Sequence, residues 1–265
     1  MVRLLDIVAA QAAQRGAHAS WELEPVETWR VLLAAAAGLA VLAWILSALR
    51  AGRRYRALCV LGEPERARVR AAITTAERTT SGELVVVVLE RSDAHAAARG
   101  LAALAFALLA ALVAAAWIVT LAPLVLLAIL VAAFALGFAL ASLLPGLARA
   151  FLSDSRAQQC AAEQALVEFH AQGLAGTKER TGVLVFVSLL ERRVIVLGDQ
   201  GIHERVGDAH WARTRDLVLE GIARGRLCDG LVGAVEECGR VLAQQFPARA
   251  DDTNELEDRL VVRRE

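Results

Sequence analysis

The sequence lacks the short motifs that mark the common catalytic mechanisms. Its 265 residues contain no GxxxxGK[ST] phosphate loop, no GxSxG nucleophile turn, no HExxH zinc motif and no protein-kinase signature. Each of these motifs supplies an indispensable part of its mechanism. The usual nucleotide-hydrolysing, serine-hydrolase and zinc-peptidase mechanisms are therefore excluded on sequence alone.

Cysteine and lysine are both scarce. The chain has four cysteines, and no two of them have CxxC spacing. We therefore expect reduced, mostly buried thiols in a cytoplasmic domain, without a metal or redox role. The four are Cys59, Cys160, Cys228 and Cys238. Lys178 is the only lysine, and the arginines cluster beside apolar tracts. This distribution bears on membrane topology and does not indicate nucleic-acid binding.

Two long tracts contain no ionisable side chain, in a chain that is 57% hydrophobic. Residues 31–49 are long enough for one membrane span, and residues 100–148 are long enough for two. We expect transmembrane helices at 31–49, 101–122 and 124–144, with Pro123 at the turn. The alternatives are a single unbroken helix in the second tract and core helices of a soluble protein.

The flanking charges predict an orientation for these spans. Arg50, Arg53, Arg54 and Arg56 follow the first tract, whereas an acidic stretch, WELEPVE, precedes it. Positive residues remain on the cytoplasmic side of a membrane. The sequence therefore predicts a multi-pass protein of the bacterial inner membrane, with residues 1–30 outside and the globular parts in the cytoplasm.

The remaining segments predict an α/β domain on either side of the apolar hairpin. ELVVVVL, at 83–89, is a short apolar run typical of a strand that is buried on both faces. After the hairpin, the patterns predict two strands and three helices. The strands are expected at 183–189 and 193–198, and the helices at 153–173, 208–223 and 229–245.

The first strand needs neighbouring strands to pair with. A connection between two parallel strands can contain the apolar hairpin if both ends of the hairpin lie on the same side of the membrane. We expect one sheet in which the valines of the first strand lie beside apolar residues of the second. The residues concerned are Val85, Val86 and Val87, and Leu184, Val185 and Phe186.

These stretches together resemble the TPM domain family, and in particular its bacterial membrane-anchored branch. The resemblance is carried by TSGELVVVV, GVLVFVSLLERRVIVLGDQGI, a tryptophan-bearing helix, DGLVGAVEECGRVLAQQFP and DDTNELED. It implies a compact α/β/α sandwich, here split by the two-helix membrane hairpin. One departure is Glu257 in Asn254-Glu255-Leu256-Glu257-Asp258, where the family usually has proline.

The resemblance divides the chain as follows. The first part of the TPM-like domain is expected at 62–99 and the second at 150–258, with a tail at 259–265. Members of the family are linked to photosystem repair, receptor assembly, calcium binding and acid phosphatase activity. The fold does not select among these functions.

Two functions therefore remain open. The favoured one is a non-enzymatic module that binds or helps assemble another membrane protein, or that self-associates. The alternative is a metal-dependent phosphatase at the inner membrane surface.

Three carboxylates are candidate ligands for such a metal. Glu83 opens the first strand, Asp199 follows a later strand, and Asp229 precedes or begins a helix. Oxygen ligands in loops suit calcium or magnesium. The favoured alternative is structural, with Asp199 in a turn beside Gly198 and Gly201, and Asp229 as a helix cap.

Overall fold

The structure is a computed structural model. It describes residues 57–117, 123–177, 179–206, 210–248 and 259–264, with scattered helical positions between 36 and 49. Within the first predicted span, the described positions 36, 38–39, 41–47 and 49 are helical. The expectations for residues 1–30 and for the closing motif at 254–258 lie outside the described residues.

The centre of the domain is a mixed four-stranded sheet with the order β3-β2-β1-β4. The strands are β1 (Glu83–Leu89), β2 (Gly182–Ser188), β3 (Arg193–Gly198) and β4 (Leu260–Arg263). β1 runs parallel to both β2 and β4, whereas β2 and β3 form an antiparallel hairpin. The predicted α/β class and the predicted strands are therefore confirmed.

The pairing of β1 with β2 confirms the sheet expected across the apolar hairpin. Val85 lies opposite Leu184, Val86 opposite Val185, and Val87 opposite Phe186. All seven residues of each strand are buried. An uninterrupted apolar run is what a strand covered on both faces requires.

Besides the helical positions between 36 and 49, helices with assigned bounds precede, separate or follow these strands in sequence. They are α1 (Ala57–Val60), α2 (Glu63–Glu77), α3 (Ala96–Trp117), α4 (Pro123–Leu143), α5 (Pro145–Ala150), α6 (Asp154–Ala171), α7 (Gln200–Val206), α8 (Trp211–Ala223) and α9 (Leu227–Gln245). A 3₁₀ turn, Leu174–Gly176, follows α6.

Helices pack on both faces of the sheet, as the alternation of side chains in β1 shows. Leu84, Val86 and Val88 belong to a buried cluster with residues of α2, α8 and α9. Val85, Val87 and Leu89 belong to a second cluster, with residues of α6. Successive side chains in a strand point to opposite faces, so one strand serves both cores.

α3 and α4, which lie between β1 and β2 in sequence, pack against each other. A Cβ at Gly137 of α4 would lie 2.8 Å from Phe106 Cβ and 3.0 Å from Ala103 Cα, both in α3. This close contact excludes the single unbroken helix that was the alternative for this tract. Only 17% of the most apolar window of α3 and 11% of that of α4 are buried, so neither is a core helix.

The C-terminal segment differs from the expected tail. Residues 260–263 form β4, which pairs with β1 from Val86↔Leu260 to Leu89↔Arg263. Arg263 reaches across to α6, where it forms an ion pair with the buried Glu168. The short run LVVR has the β-branched pattern of a strand, but its charged neighbours mask this signal.

Candidate functional site

Two of the three predicted metal ligands lie at the same edge of the sheet. Glu83 pairs with Gly182 in the β1–β2 register, and the N–H of Asp199 donates to the carbonyl of Gly182 at 2.9 Å. Glu83 is buried, whereas Asp199 is partly exposed.

Asp199 begins a helix, which corrects the expected turn in GDQGI. Its Oδ1 accepts a hydrogen bond from the N–H of Gln200 at 2.7 Å, and its carbonyl accepts one from the N–H of His203 at 2.9 Å. Gly201 therefore lies within α7, not in a turn. A Cβ there would lie 2.7 Å from the Glu179 carbonyl oxygen, so this close backbone approach requires glycine.

Asp229 lies in the first turn of α9 and not at its cap, because the helix begins at Leu227. Its Oδ1 pairs with the Arg68 guanidinium of α2 at 3.1 Å, and both side chains are about half exposed. Asp229 thus lies against α2, whereas Glu83 of β1 and Asp199 after β3 both lie beside Gly182 of β2. Calcium or magnesium binding by Glu83, Asp199 and Asp229 stays a prediction.

Among the described residues, one group of three potential ligands has its donor atoms within 4.8 Å of one another, and it contains none of the predicted carboxylates. It consists of Asp93, His95 and Cys160. With Ser188 and Glu191, these residues form what we call the hairpin-base cluster.

The parallel pairing of β1 and β2 brings the hairpin-base cluster together. Asp93 and His95 lie between the end of β1 and the start of α3, and Ser188 ends β2. Because the two strands are parallel, their carboxyl ends meet at one edge, which is where ligand sites of α/β sheets lie. Cys160 joins them from α6. The cluster therefore lies where the apolar hairpin leaves the domain.

A buried histidine–glutamate pair is the centre of this cluster. His95 Nε2 lies 2.5 Å from Glu191 Oε1, and the two side chains are 3% and 0% exposed. The other oxygen, Glu191 Oε2, accepts a hydrogen bond from the Ser188 hydroxyl. The N–H of Ser92 donates to Oε1 at 2.9 Å. Buried charges persist only when they are satisfied in this way.

These hydrogen bonds determine the charge of Glu191. Burial alone would raise the pKa of the carboxyl, but hydrogen bonds from His95, Ser188 and the Ser92 N–H outweigh it, and the pKa is lowered. Glu191 is therefore an ionised carboxylate, which only accepts hydrogen bonds. The proton between the two side chains belongs to His95 Nε2. In the neutral imidazole, Nδ1 then carries a lone pair.

The other side of His95 faces Asp93 and Cys160. Asp93 Oδ2 lies 3.7 Å from His95 Nδ1 and 3.7 Å from Cys160 Sγ. Arg156, one turn before Cys160 on α6, donates to the same oxygen at 3.4 Å. Burial raises the pKa of the Cys160 thiol. For Asp93, burial acts to raise the pKa, but the Ala94 N–H, His95, Cys160 and Arg156 lower it.

His95 has an unusual backbone conformation. Its φ is 50°, in the left-handed region that costs a non-glycine residue free energy. Its carbonyl accepts the N–H of Arg99 at 3.1 Å, so the residue immediately before α3 is hydrogen-bonded to the first turn of that helix. The backbone turn at His95 thus directs both the imidazole into the cluster and the helix away from the sheet.

Sequence reasoning did not find this cluster. Asp93 and Cys160 are separated by the whole hairpin, and no spacing rule connects them. A usable signal was the sequence SDAH shortly after a buried strand, because loops at the carboxyl ends of parallel strands hold functional residues.

A concave groove lies along the edge strand β3. This open groove of about 370 Å³ runs between α6 and α8. Its polar lining includes Arg192, Arg193 and Arg215, and its apolar lining includes Trp211 and Leu219. It offers a basic surface on the domain, separate from the hairpin-base cluster.

Comparison with known proteins gives one family match. Residues 149–241 match the family model described as the TPM domain. No curated protein matches the chain. Among solved structures, the NMR structure of BA42 protein from the psychrophilic bacterium Bizionia argentinensis is similar, with 22% sequence identity and a TM-score of 0.48. That alignment covers 76% of this chain and 94% of BA42.

Proposed function

We propose, from the match of residues 149–241 to the TPM domain model, that the chain is a membrane-anchored, non-enzymatic TPM-domain module that binds or helps assemble another membrane protein. The anchor in this proposal consists of residues 31–49 with α3 and α4. The domain lies on the cytoplasmic side of the bacterial inner membrane, and self-association is the simplest form of partner binding.

The observation that carries the proposal is the exposed apolar surface of the hairpin. α3 and α4 present large aliphatic side chains outward along their described parts. They include Leu104, Leu108 and Leu112 of α3, and Leu124, Leu127, Val131 and Leu136 of α4. Soluble monomers rarely expose continuous apolar patches of this kind. The described parts of both helices are long enough to cross a membrane.

Contacts at the domain end of the hairpin support the predicted orientation. Arg99, in the first part of α3, lies 5.8 Å from the ring centre of Phe138 in α4. Arg149, just after α4, pairs with Asp154 of α6 at 3.5 Å. Both arginines thus lie at the end of the hairpin that joins the sheet, as the positive-inside rule requires of a cytoplasmic domain.

The site geometry supports binding over catalysis. Glu83 and Asp199 share an edge of the sheet, but Asp229 pairs elsewhere with Arg68. A metal-assisted phosphatase must hold metal and phosphate in one place. His95 and Glu191 are almost fully buried, which leaves a substrate no access to them. The phosphatase alternative is therefore not favoured.

Affinity capture of the full-length protein in mild detergent tests this proposal. We expect one membrane protein, or a second copy of this chain, to co-purify in fixed stoichiometry after extensive washing. The membrane fraction should retain the chain after alkaline carbonate extraction.

Hydrolysis of p-nitrophenyl phosphate tests the alternative function, a metal-dependent phosphatase. Turnover that is lost in Asp199→Asn and kept in the exposed control Asp216→Asn would contradict the non-enzymatic proposal. A chain released by carbonate would contradict the anchor.

A further inference from the structure

We propose that Asp93, His95 and Cys160 bind a zinc ion at the base of the hairpin. These three side chains supply one oxygen, one nitrogen and one sulfur ligand, and all three donor atoms lie within 4.8 Å of one another. This mixed set suits zinc, whereas calcium and magnesium take oxygen ligands. The site is distinct from Glu83, Asp199 and Asp229.

Two of the three distances between the donor atoms are close to those of a tetrahedral site. Zinc bonds of typical length at the tetrahedral angle place nitrogen and oxygen ligands about 3.4 Å apart, and sulfur and oxygen ligands about 3.6 Å apart. The corresponding separations here are both 3.7 Å, from Asp93 Oδ2 to His95 Nδ1 and to Cys160 Sγ. The third separation, from the His95 nitrogen to Cys160 Sγ, lies within 4.8 Å, so the ion would require these two side chains to move closer together, to about 3.6 Å.

His95 is prepared as a ligand by its partner on the other side of the ring. Its Nδ1 is buried and has no hydrogen-bond partner among the described residues. Its Nε2–H is held by the Glu191 carboxylate at 2.5 Å. A carboxylate on the far nitrogen of a ligating histidine fixes the tautomer and makes the near nitrogen more basic. An unpaired buried nitrogen is otherwise unfavourable.

Two groups must respond when zinc binds. The Cys160 thiol, which donates to Asp93 at 3.7 Å, loses its proton to solvent as the zinc–sulfur bond forms. The Arg156 guanidinium, at 3.4 Å from the same Asp93 oxygen, must move away. Its side chain is 52% exposed, so it can rotate into water. Three protein ligands leave the fourth tetrahedral position to a water molecule.

The ion would connect separate parts of the fold. Asp93 and His95 belong to the loop that leads into α3, and Cys160 belongs to α6, which covers the sheet after the hairpin. A zinc ion there would fix the direction in which the hairpin leaves the domain. This inference does not depend on the partner-binding proposal or on the orientation in the membrane.

Metal titration of the detergent-purified, chelator-treated full-length protein tests the proposal. We expect one equivalent of Zn²⁺ to bind. Co²⁺ in place of zinc should give tetrahedral d–d bands and a thiolate-to-cobalt charge-transfer band. Cys160→Ser should abolish that band, and Cys228→Ser, which alters another buried cysteine, should leave it unchanged. Glu191→Gln should weaken zinc affinity by about 10–100-fold.

Limited proteolysis of each variant shows whether its domain is folded, so that loss of metal is not confused with unfolding. His95→Gln, which retains a side-chain amide toward Glu191, gives a second ligand deletion if Cys160→Ser is unstable. The proposal is overturned if folded parent protein binds no zinc above background. It is equally overturned if the cobalt spectrum shows no thiolate band, or if Cys228→Ser reduces that band as much as Cys160→Ser.

Discussion

Glu191 is a fully buried carboxylate that remains ionised because three donors surround it. His95 Nε2, the Ser188 hydroxyl and the Ser92 N–H all point to it. His95 and Ser92 belong to the loop after β1 and Ser188 ends β2, whereas Glu191 lies in the turn between β2 and β3. A single side chain therefore connects the two segments of the domain that the hairpin separates in sequence.

Replacement of Glu191 by glutamine should destabilise the metal-free domain at neutral pH by about 1.5–3 kcal/mol, the usual range for hydrogen bonds to a charged group. The folded pKa lies below the ordinary 4.5, so the ionised form stabilises the fold above that pH. This stabilisation is lost as the pH falls through the folded pKa.

Thermal unfolding in detergent with chelator, measured from pH 7 down to pH 3, checks this expectation. The difference in stability between parent and Glu191→Gln should shrink on acidification. The exposed control Glu236→Gln should match the parent throughout. A difference that stays constant with pH would show that the carboxylate charge does not matter.

At the scale of elements, β4 pairs with β1 in the sheet, and an ion pair also connects it to α6. Arg263 of β4 contacts Glu168 of α6, which is fully buried and also accepts from Gln164 and Gln172 at 3.2 Å each. Removal of the guanidinium leaves the buried carboxylate with its two amide donors.

Arg263→Ala should therefore cost about 1–3 kcal/mol of stability, whereas Arg264→Ala, the exposed neighbour, should cost little. Hydrogen exchange at the amides of β4 gives the measurement. We expect faster exchange at 260–263 in Arg263→Ala only. Equal exchange in both variants would mean that the ion pair does not hold β4.

The contact between α3 and α4 depends on the absence of a side chain at position 137. A leucine there would overlap Phe106 and Ala103, and overpacking of this kind costs about 1–3 kcal/mol. Gly137→Leu should lower the melting temperature in detergent. Gly100→Leu is the matched control, because nothing lies within 4 Å of a Cβ at that position. Equal effects of the two substitutions would contradict the packing described here.

The hydrophobic pattern of the sequence was sufficient to predict the elements whose side chains are uniformly buried or uniformly exposed. β1 and β2 are short apolar runs, which indicate strands covered on both faces. The hairpin helices are long apolar runs, which indicate helices with an exposed apolar surface. The sequence pattern did not predict α7, because the two glycines in GDQGI are typical of a turn, although Asp199 caps the helix. β4 was missed because a four-residue strand between charged residues carries too little pattern.

The hairpin-base cluster could not be predicted for a different reason. Cys160 has no neighbouring cysteine or histidine that would mark a metal site in sequence. Its proximity to Asp93 arises from parallel pairing of β1 with β2 and from the packing of α6 on that sheet. Such proximity is a property of the tertiary fold and not of any local segment.

At the scale of the whole molecule, the domain is one sheet assembled from segments on either side of the hairpin. Val86 lies at its centre, is 0% exposed and pairs with both Val185 and Leu260. Val86→Asp buries a carboxylate without a partner and should cost several kcal/mol, out of a total stability of about 5–15 kcal/mol.

Membrane fractionation followed by protease treatment tests this substitution. We expect Val86→Asp to remain in the membrane fraction, because insertion of the apolar helices does not depend on the sheet. The domain should be cut on both sides of the hairpin, at residues before α3 and after α5. Val86→Ile, which keeps the site apolar, serves as the control. Protease resistance equal to the parent would place β1 outside the core.

The central claim is that both segments of the sheet lie on one side of a membrane that the hairpin enters and leaves. Single cysteines at Thr75 of α2 and Ala162 of α6, both exposed, test it in a variant whose four native cysteines are replaced. A third cysteine at Ser20 reports on the N-terminal segment, outside the described residues. With a membrane-impermeant maleimide, we predict labelling of positions 75 and 162 only in inverted vesicles, and of position 20 only in intact spheroplasts. Labelling of positions 75 and 162 from opposite sides of the membrane would contradict the account.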